Sequence, residues 1–251
     1  MARDSIEISE QAGVRYLHFS SEWVQGAMRV RKPNALELAY TREMMFGLIM
    51  RAAPWPRHAL LIGLGAGSLA KFIYHKLPKT KITVVEINPQ VEIIARLHFK
   101  LPDDPARINV VIGDGAEYML KDGRYFDAIL VDGFDKNARS GALDTLPFYQ
   151  ACRNRLTSNG LLAVNLLSHN KGFLASARRI SEAFDGRTLT LPPCESGNTI
   201  AFATAGDPVT VNAETLSARV AKLNEETGLN LITTLTRLLP KLTTSQNQLN
   251  I

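Results

Sequence analysis

The 251 residues are 45% hydrophobic and 21% charged, an ordinary composition for one large globular domain or a domain with an appendage. No apolar run reaches the ~20 residues of a membrane span, the opening Met1-Ala-Arg-Asp-Ser-Ile-Glu7 lacks a signal-peptide core, and Cys152 and Cys194 make neither a disulfide framework nor a metal spacing. The net charge of +5, from 29 basic and 24 acidic residues, permits nucleic-acid contact, but the basic clusters Arg29–Lys32 and Arg51–His58 lack the aromatic interleaving of a stacking platform. The expectation is a cytoplasmic protein with no nucleic-acid partner, no membrane partner and no bound metal.

In chain order, residues 1–35 carry two β-like stretches, Ser5–Ser9 and Val14–Phe19, which predict a small N-terminal β-hairpin appendage. Residues 36–251 form the main domain. A helix is predicted over Ala35–Arg51 from Leu36, Leu38, Met44, Met45, Leu48 and Ile49, and Pro54 and Pro56 end it. The apolar run Ala59–Ile62 then breaks into Gly63-Leu-Gly65-Ala-Gly67, followed by a helix-competent Ser68–Leu77. This reads as a buried strand, a tight glycine turn and a helix start, whose free N–H groups and bare backbone admit a ligand closely.

Three further β-branched runs follow, and each ends in a carboxylate. Lys81–Ile87 carries Glu86, Ile108–Ile112 leads to Asp114 and Gly115, and Phe126–Val131 leads to Asp132. A single acid at a strand end is usually a cap or turn former. The repetition points instead to one crevice, because ligands of doubly wound sheets sit outside the carboxyl ends of the strands. Leu161–Leu166, Thr188–Leu191 and Thr199–Thr204 are the remaining predicted strands. Helices are predicted around Ala213–Glu226 and Leu229–Leu239, with a polar, frayed end from Thr243 to Ile251.

The βα alternation over residues 58–205 predicts an α/β fold of the Rossmann-like class I methyltransferase type. Its mostly parallel seven-stranded sheet would carry helices on both faces. A dinucleotide fits the glycine turn poorly, since Ser68 stands where its fingerprint has a third glycine. Glu86 suits a ribose diol, and Asp114 an adenine amino group, which together favour a sulfonium nucleoside.

With these pieces in place, residues from about 14 to 205 resemble the spermidine synthase, or polyamine aminopropyltransferase, family. The matching segments are Gly63–Gly67, Val85-Glu-Ile-Asn88, Gly113-Asp-Gly115, Val131-Asp-Gly-Phe-Asp135, Phe148-Tyr149, Ser196-Gly197, and Gln25 ahead of the Tyr40 helix. The resemblance implies transfer of an aminopropyl group from decarboxylated S-adenosylmethionine to a polyamine by a homodimer. It implies Asp135 as base with Asp132 beside it, and Gly63, Gly65, Gly67, Glu86, Asp114, Gly115 and Gln25 on the nucleoside. Tyr40, Asp132 and Asp135 would face the acceptor.

The sequence departs from the family at several points. Ala66 replaces an aspartate of the turn that engages the aminopropyl amine, and Lys136 follows Asp135. Thr41-Arg42-Glu43 follows Tyr40, and Cys194–Thr199 replaces aromatic residues that line the acceptor pocket. Two alternatives therefore stand: a methyltransferase using intact S-adenosylmethionine, and a nucleoside-binding homologue without catalysis. Asp127, Asp144, His169 and Glu195 are read as structural or incidental.

Overall fold

The fold is taken from a computed structural model, which describes residues 6–19, 24–121, 123–134, 139–169, 171–243 and 248–251. The chain opens with strands β1 (Ile6–Gln11), β2 (Val14–Phe19) and β3 (Val24–Arg29), then helices α1 (Ala39–Met44) and α2 (Gly47–Met50). The central alternation is β4 (His58–Ile62), α3 (Ser68–Lys76), β5 (Lys81–Glu86), α4 (Pro89–Phe99), β6 (Ile108–Ile112), α5 (Gly115–Leu120) and β7 (Phe126–Val131). It continues through α6 (Leu146–Asn154), β8 (Leu156–Leu167), α7 (Phe173–Ala183), β9 (Thr188–Thr190) and β10 (Asn198–Thr204). The tail holds β11 (Thr210–Asn212), α8 (Ala213–Thr227), α9 (Ile232–Thr243) and β12 (Gln248–Asn250).

Among the described residues the main sheet has seven strands in the order β6-β5-β4-β7-β8-β10-β9. β4 to β8 are mutually parallel, whereas β10 runs antiparallel to both β8 and β9. The reversal has a local cause. β9 and β10 are joined by the short loop 191–197 rather than by a crossover helix, so they form a hairpin. The strand order reverses beside β4, with β5 and β6 on one side and β7 and β8 on the other, which makes the end of β4 the switch point.

Side-chain alternation along the strands splits the core into two layers. Leu61, Val84, Leu130, Ala163 and Phe202 face one cluster together with Phe72 and Ile73 of α3, Val91 of α4, Leu216 of α8 and Leu238 of α9. Their neighbours Leu60, Ile62, Val85, Ile129, Val131 and Val164 face the other, with Met119 of α5, Phe148 and Cys152 of α6, and Ile180 of α7. Strands buried on both faces read as continuous apolar runs, as these do, and the predicted helices on both faces are present.

Three expectations are corrected. The hairpin β1–β2 is extended by β3 into a three-stranded antiparallel sheet. The single helix expected over Ala35–Arg51 is two short helices, starting at Ala39. Met44, Met45, Phe46 and Gly47 are consecutive and all buried, and no single stripe of a continuous helix could bury all four. The end is not frayed in its last residues: β12 pairs with β11, Leu249 is 1% exposed, and Ile251 exchanges two backbone hydrogen bonds with Val209. The apolar Leu249 and Ile251 alternate with polar neighbours and match Val209 and Val211, which is strand logic.

The N-terminal sheet is too small to hold a core of its own. Leu17 and Met28 pack instead on Ala66 and Phe99. Polar ties add to this, since Arg15 donates to the carbonyl of His98 at 2.6 Å and Ser68 to that of Ala27 at 3.1 Å. The sheet is thereby laid across the start of α3.

Candidate active site

Backbone pairing brings the strand-end residues into one row. Asp132 N–H donates to Ile62 O (2.9 Å), Gly63 N–H to Val85 O (2.9 Å), and Gly113 N–H to Glu86 O (2.9 Å). The ends of β7, β4, β5 and β6 therefore follow one another along the sheet edge, carrying Asp132, the glycine turn, Glu86 and Asp114.

Two glycines of the turn are required by close approach. Gly63 has φ +96°, and a Cβ there would lie 2.2 Å from the carbonyl oxygen of Asp132. Gly65 has φ +51°, and its Cβ would lie 2.8 Å from the carbonyl oxygen of Gln25. Gly67 precedes α3 in the left-handed region. Gln25 thus reaches the turn through its backbone on β3. Gly26 presses on Ala66 from the same strand, where an added Cβ would be 2.6 Å from the alanine methyl. Ala66 is 2% exposed, so the position that departs from the family pattern is an apolar contact between turn and N-terminal sheet.

Glu86 and Asp114 each do local work at their strand ends. Oε2 of Glu86 accepts the N–H of Leu64 and Oε1 that of Asn88, both at 2.9 Å. Burial pushes its carboxyl above the ordinary range, and the surrounding backbone amides pull it back. Glu86 therefore sets the shape of the turn. Asp114 is the N-cap of α5, its Oδ1 accepting from Ala116 (2.7 Å) and Glu117 (3.0 Å). The cap uses one oxygen, so the cap and ligand roles weighed for this acid are compatible. Gly115, next to it, lies against the end of β4, where a Cβ would meet Ile62 Cγ2 at 2.5 Å.

Both oxygens of Asp132 are held by side chains. Tyr40, from α1, donates its hydroxyl to Oδ2 at 3.2 Å, and Asn165, from β8, donates to Oδ1 at 2.8 Å. Burial raises the carboxyl pKa, while both donors favour the ionised form. The Tyr40 hydroxyl is pushed well above its usual value, chiefly by burial and also by the adjacent Asp132. Asn165 is held in turn by Asn198, which donates to its Oδ1 at 2.9 Å, and Ser196 donates to Asn198 at 2.6 Å. Asp135 lies outside the described residues.

Sequence reasoning did not single out Asn165, Asn198 or Ile87, which lie near the strand ends. The first two had a signal: each is buried, at 4% and 8% exposure, within an otherwise apolar strand. Such a group needs a partner. Ile87 follows Glu86 just past the end of β5 and is 69% exposed. Asp127 accepts from the backbone N–H groups of Arg57 and His58 and from Thr157, a tie between β4, β7 and β8. His169 and Glu195 are exposed. Among the described residues no set of three or more His, Cys, Asp or Glu side chains is grouped to hold a metal, and no helix is long and apolar enough to cross a membrane.

Comparison with known proteins agrees with this geometry. The spermine/spermidine synthase domain matches residues 37–202. The chain is 40% identical over 225 residues to a polyamine aminopropyltransferase of Neisseria meningitidis serogroup A, covering 90% of this chain and 85% of that one. It is 37% identical over 228 residues to that of Chromobacterium violaceum, covering 91% and 87%. Among solved structures, a spermidine synthase in complex with the transition state analogue AdoDATO aligns with TM-score 0.69 and 25% identity, over 97% of this chain and 88% of that one. Human methyltransferase-like protein 13 in complex with SAH aligns with TM-score 0.66 and 24% identity over 76% and 92%, a likeness of fold alone. The chain belongs to the spermine/spermidine synthase family.

Proposed function

We propose that this chain transfers an aminopropyl group from decarboxylated S-adenosylmethionine to an amine of a polyamine acceptor. The observation that carries the reading is Asp132, held at the switch point by Tyr40 and Asn165 beside the glycine turn. An acceptor amine has a pKa near that of lysine, ~10.4, and arrives as an ammonium ion. A carboxylate that is costly to ionise alone gains most when a cation arrives to pair with it. Asp132 holds the ammonium, and Asp135, the proposed base, takes its proton. The freed nitrogen lone pair attacks the carbon bonded to sulfur. That C–S bond breaks with its electrons moving to sulfur, leaving methylthioadenosine and a longer polyamine.

On the donor side, Glu86 takes the ribose hydroxyls, Asp114 the adenine amino group, and Ile87 the face of the base. Gly63, Gly65, Gly67 and Gly115 give the backbone close access, and Gln25 closes the turn from β3. Within the N-terminal unit of residues 1–35, the sheet β1–β3 covers this turn. The resemblance supports a cytoplasmic homodimer, whose mass sedimentation would read.

Incubation with decarboxylated S-adenosylmethionine and a putrescine and spermidine panel tests the reading. Methylthioadenosine and the extended polyamine should appear in equal amounts. Asp135→Asn should abolish transfer and leave methylthioadenosine binding intact; full turnover in that variant would remove the base role.

A methyltransferase reading is favoured by one observation. Ala66 is buried against Gly26, so the turn offers no carboxylate to the ammonium of the decarboxylated donor. Calorimetry with both forms of the donor separates the two: tighter binding of intact S-adenosylmethionine would move the assignment to methyl transfer. Turnover of any acceptor disposes of a purely binding role.

A further inference from the structure

The matched family domain ends at Phe202, yet the elements around Asp132 are fastened by a residue far beyond it. Arg237, on α9, grips two of them at once. Its Nη1 donates to the carbonyl oxygens of Pro192 (3.2 Å) and Pro193. Its Nη2 donates to Oε1 of Glu43 on α1, and the hydroxyl of Thr234 reaches the same oxygen at 3.4 Å. Glu43 is only 3% exposed, so its end of this ion pair is buried between α1 and α9, while the Arg237 side chain is part-exposed.

One gripped element carries a donor to Asp132, and the other leads to the residue that holds the second donor. Glu43 follows Tyr40 by about one turn of α1, and Tyr40 donates to Oδ2. Pro192 and Pro193 open the loop that leads through Ser196 to Asn198. Asn198 holds Asn165, which donates to Oδ1. A planar guanidinium suits this task, because its fixed fork spans a carboxylate and two carbonyls in one geometry.

We propose that Arg237 is a positioning residue for acceptor binding. By clamping α1 to the 192–198 loop, it sets the separation of Tyr40 and Asn165 and hence the orientation of the Asp132 carboxylate. This inference rests on the assignment of Asp132 to the acceptor side.

The test compares the full-length chain with Arg237→Met, Arg237→Lys and the double variant Glu43→Gln/Arg237→Met. Steady-state kinetics uses decarboxylated S-adenosylmethionine and putrescine or spermidine, and calorimetry uses methylthioadenosine. In Arg237→Met the acceptor KM should rise on the order of tenfold or more, since small misplacements near reacting groups are costly. Methylthioadenosine affinity should stay within about twofold, because Arg237 touches none of the donor-side residues. Arg237→Lys should recover part of the acceptor KM.

The double variant leaves no buried carboxylate unpaired. It decides the matter if Arg237→Met does not fold, and it should show the same acceptor defect. An unchanged acceptor KM in the folded variant would overturn the proposal, as would a parallel loss of methylthioadenosine affinity. Asp132→Asn probes the underlying reading separately. Wild-type acceptor kinetics in that variant would remove Asp132 from the acceptor side whatever Arg237 does.

Discussion

Asp132 presents its two oxygens to different neighbours, a phenol on one and an amide on the other, inside a buried crevice. Burial raises its pKa, and hydrogen bonds to the charged form lower it. Holding an ammonium requires the ionised form. The kcat/KM for acceptor should therefore fall as pH drops through a value above the usual carboxylate range. Asn165→Leu removes a donor to the charged form and should move that acid limb higher still; a limb that stays in place would separate Asn165 from Asp132 function. The glycine turn gives a second expectation. Gly63→Ala places a methyl where the Asp132 carbonyl lies, at positive φ, and should cost about 2 kcal/mol or more in urea unfolding, with loss of methylthioadenosine binding. At this scale the row of strand-end acids beside the glycine turn was legible, because these residues sit within a few positions of the strands that place them. Asn165 and Asn198 were not, because their meaning comes from partners 33 residues away in the chain.

Helix junctions carry the polar chemistry that the apolar layers leave over. Asp144 precedes Thr145, the N-cap of α6. It accepts from Tyr149 on α6 (2.9 Å) and from Ser176 (2.7 Å) and Arg179 on α7. Asp144→Ala should destabilise the fold by about 2 kcal/mol through these orphaned donors, with methylthioadenosine affinity unchanged. Unchanged melting would deny the tie. Lys71 of α3 is 1% exposed and donates to Phe99 O at the end of α4 at 2.6 Å. Burial, aided by nearby Lys100, lowers its pKa to about 7. A base with a depressed folded-state pKa contributes stability above its unfolded value, ~10.4, that is lost as pH falls through the folded one. Stability should therefore rise from about pH 7 to pH 10 by this group's share, and Lys71→Met should flatten that rise in denaturation curves. No sequence pattern marks Lys71 or Glu43 as buried; α3 and α1 read as amphipathic, and the packing of α4 and α9 decides the matter.

For the molecule as a whole, the parallel βα order was readable because strands covered on both sides are β-branched runs with punctuating turns. The terminal segments were less so, since β3 and the three-residue β12 take their meaning from what they dock on. Removing residues 248–251 strips β11 of its partner and uncovers Val209 and Val211. It should lower stability by about 2–3 kcal/mol without weakening methylthioadenosine binding; a loss of that binding would mean the tail reaches the donor side. The seat of β3 on the glycine turn has a further consequence, for the routes by which this site can change. Gly26 and Ala66 fill one space between them, and an added methyl at the first already collides with the second. Substitutions at the two positions are thus epistatic: a larger side chain at 66 is admissible only after β3 has retreated, and a side chain at 26 only if 66 has been cut back. An evolutionary or engineered walk toward a charged turn must begin in the N-terminal sheet, at β3, before residue 66 of the turn can be altered.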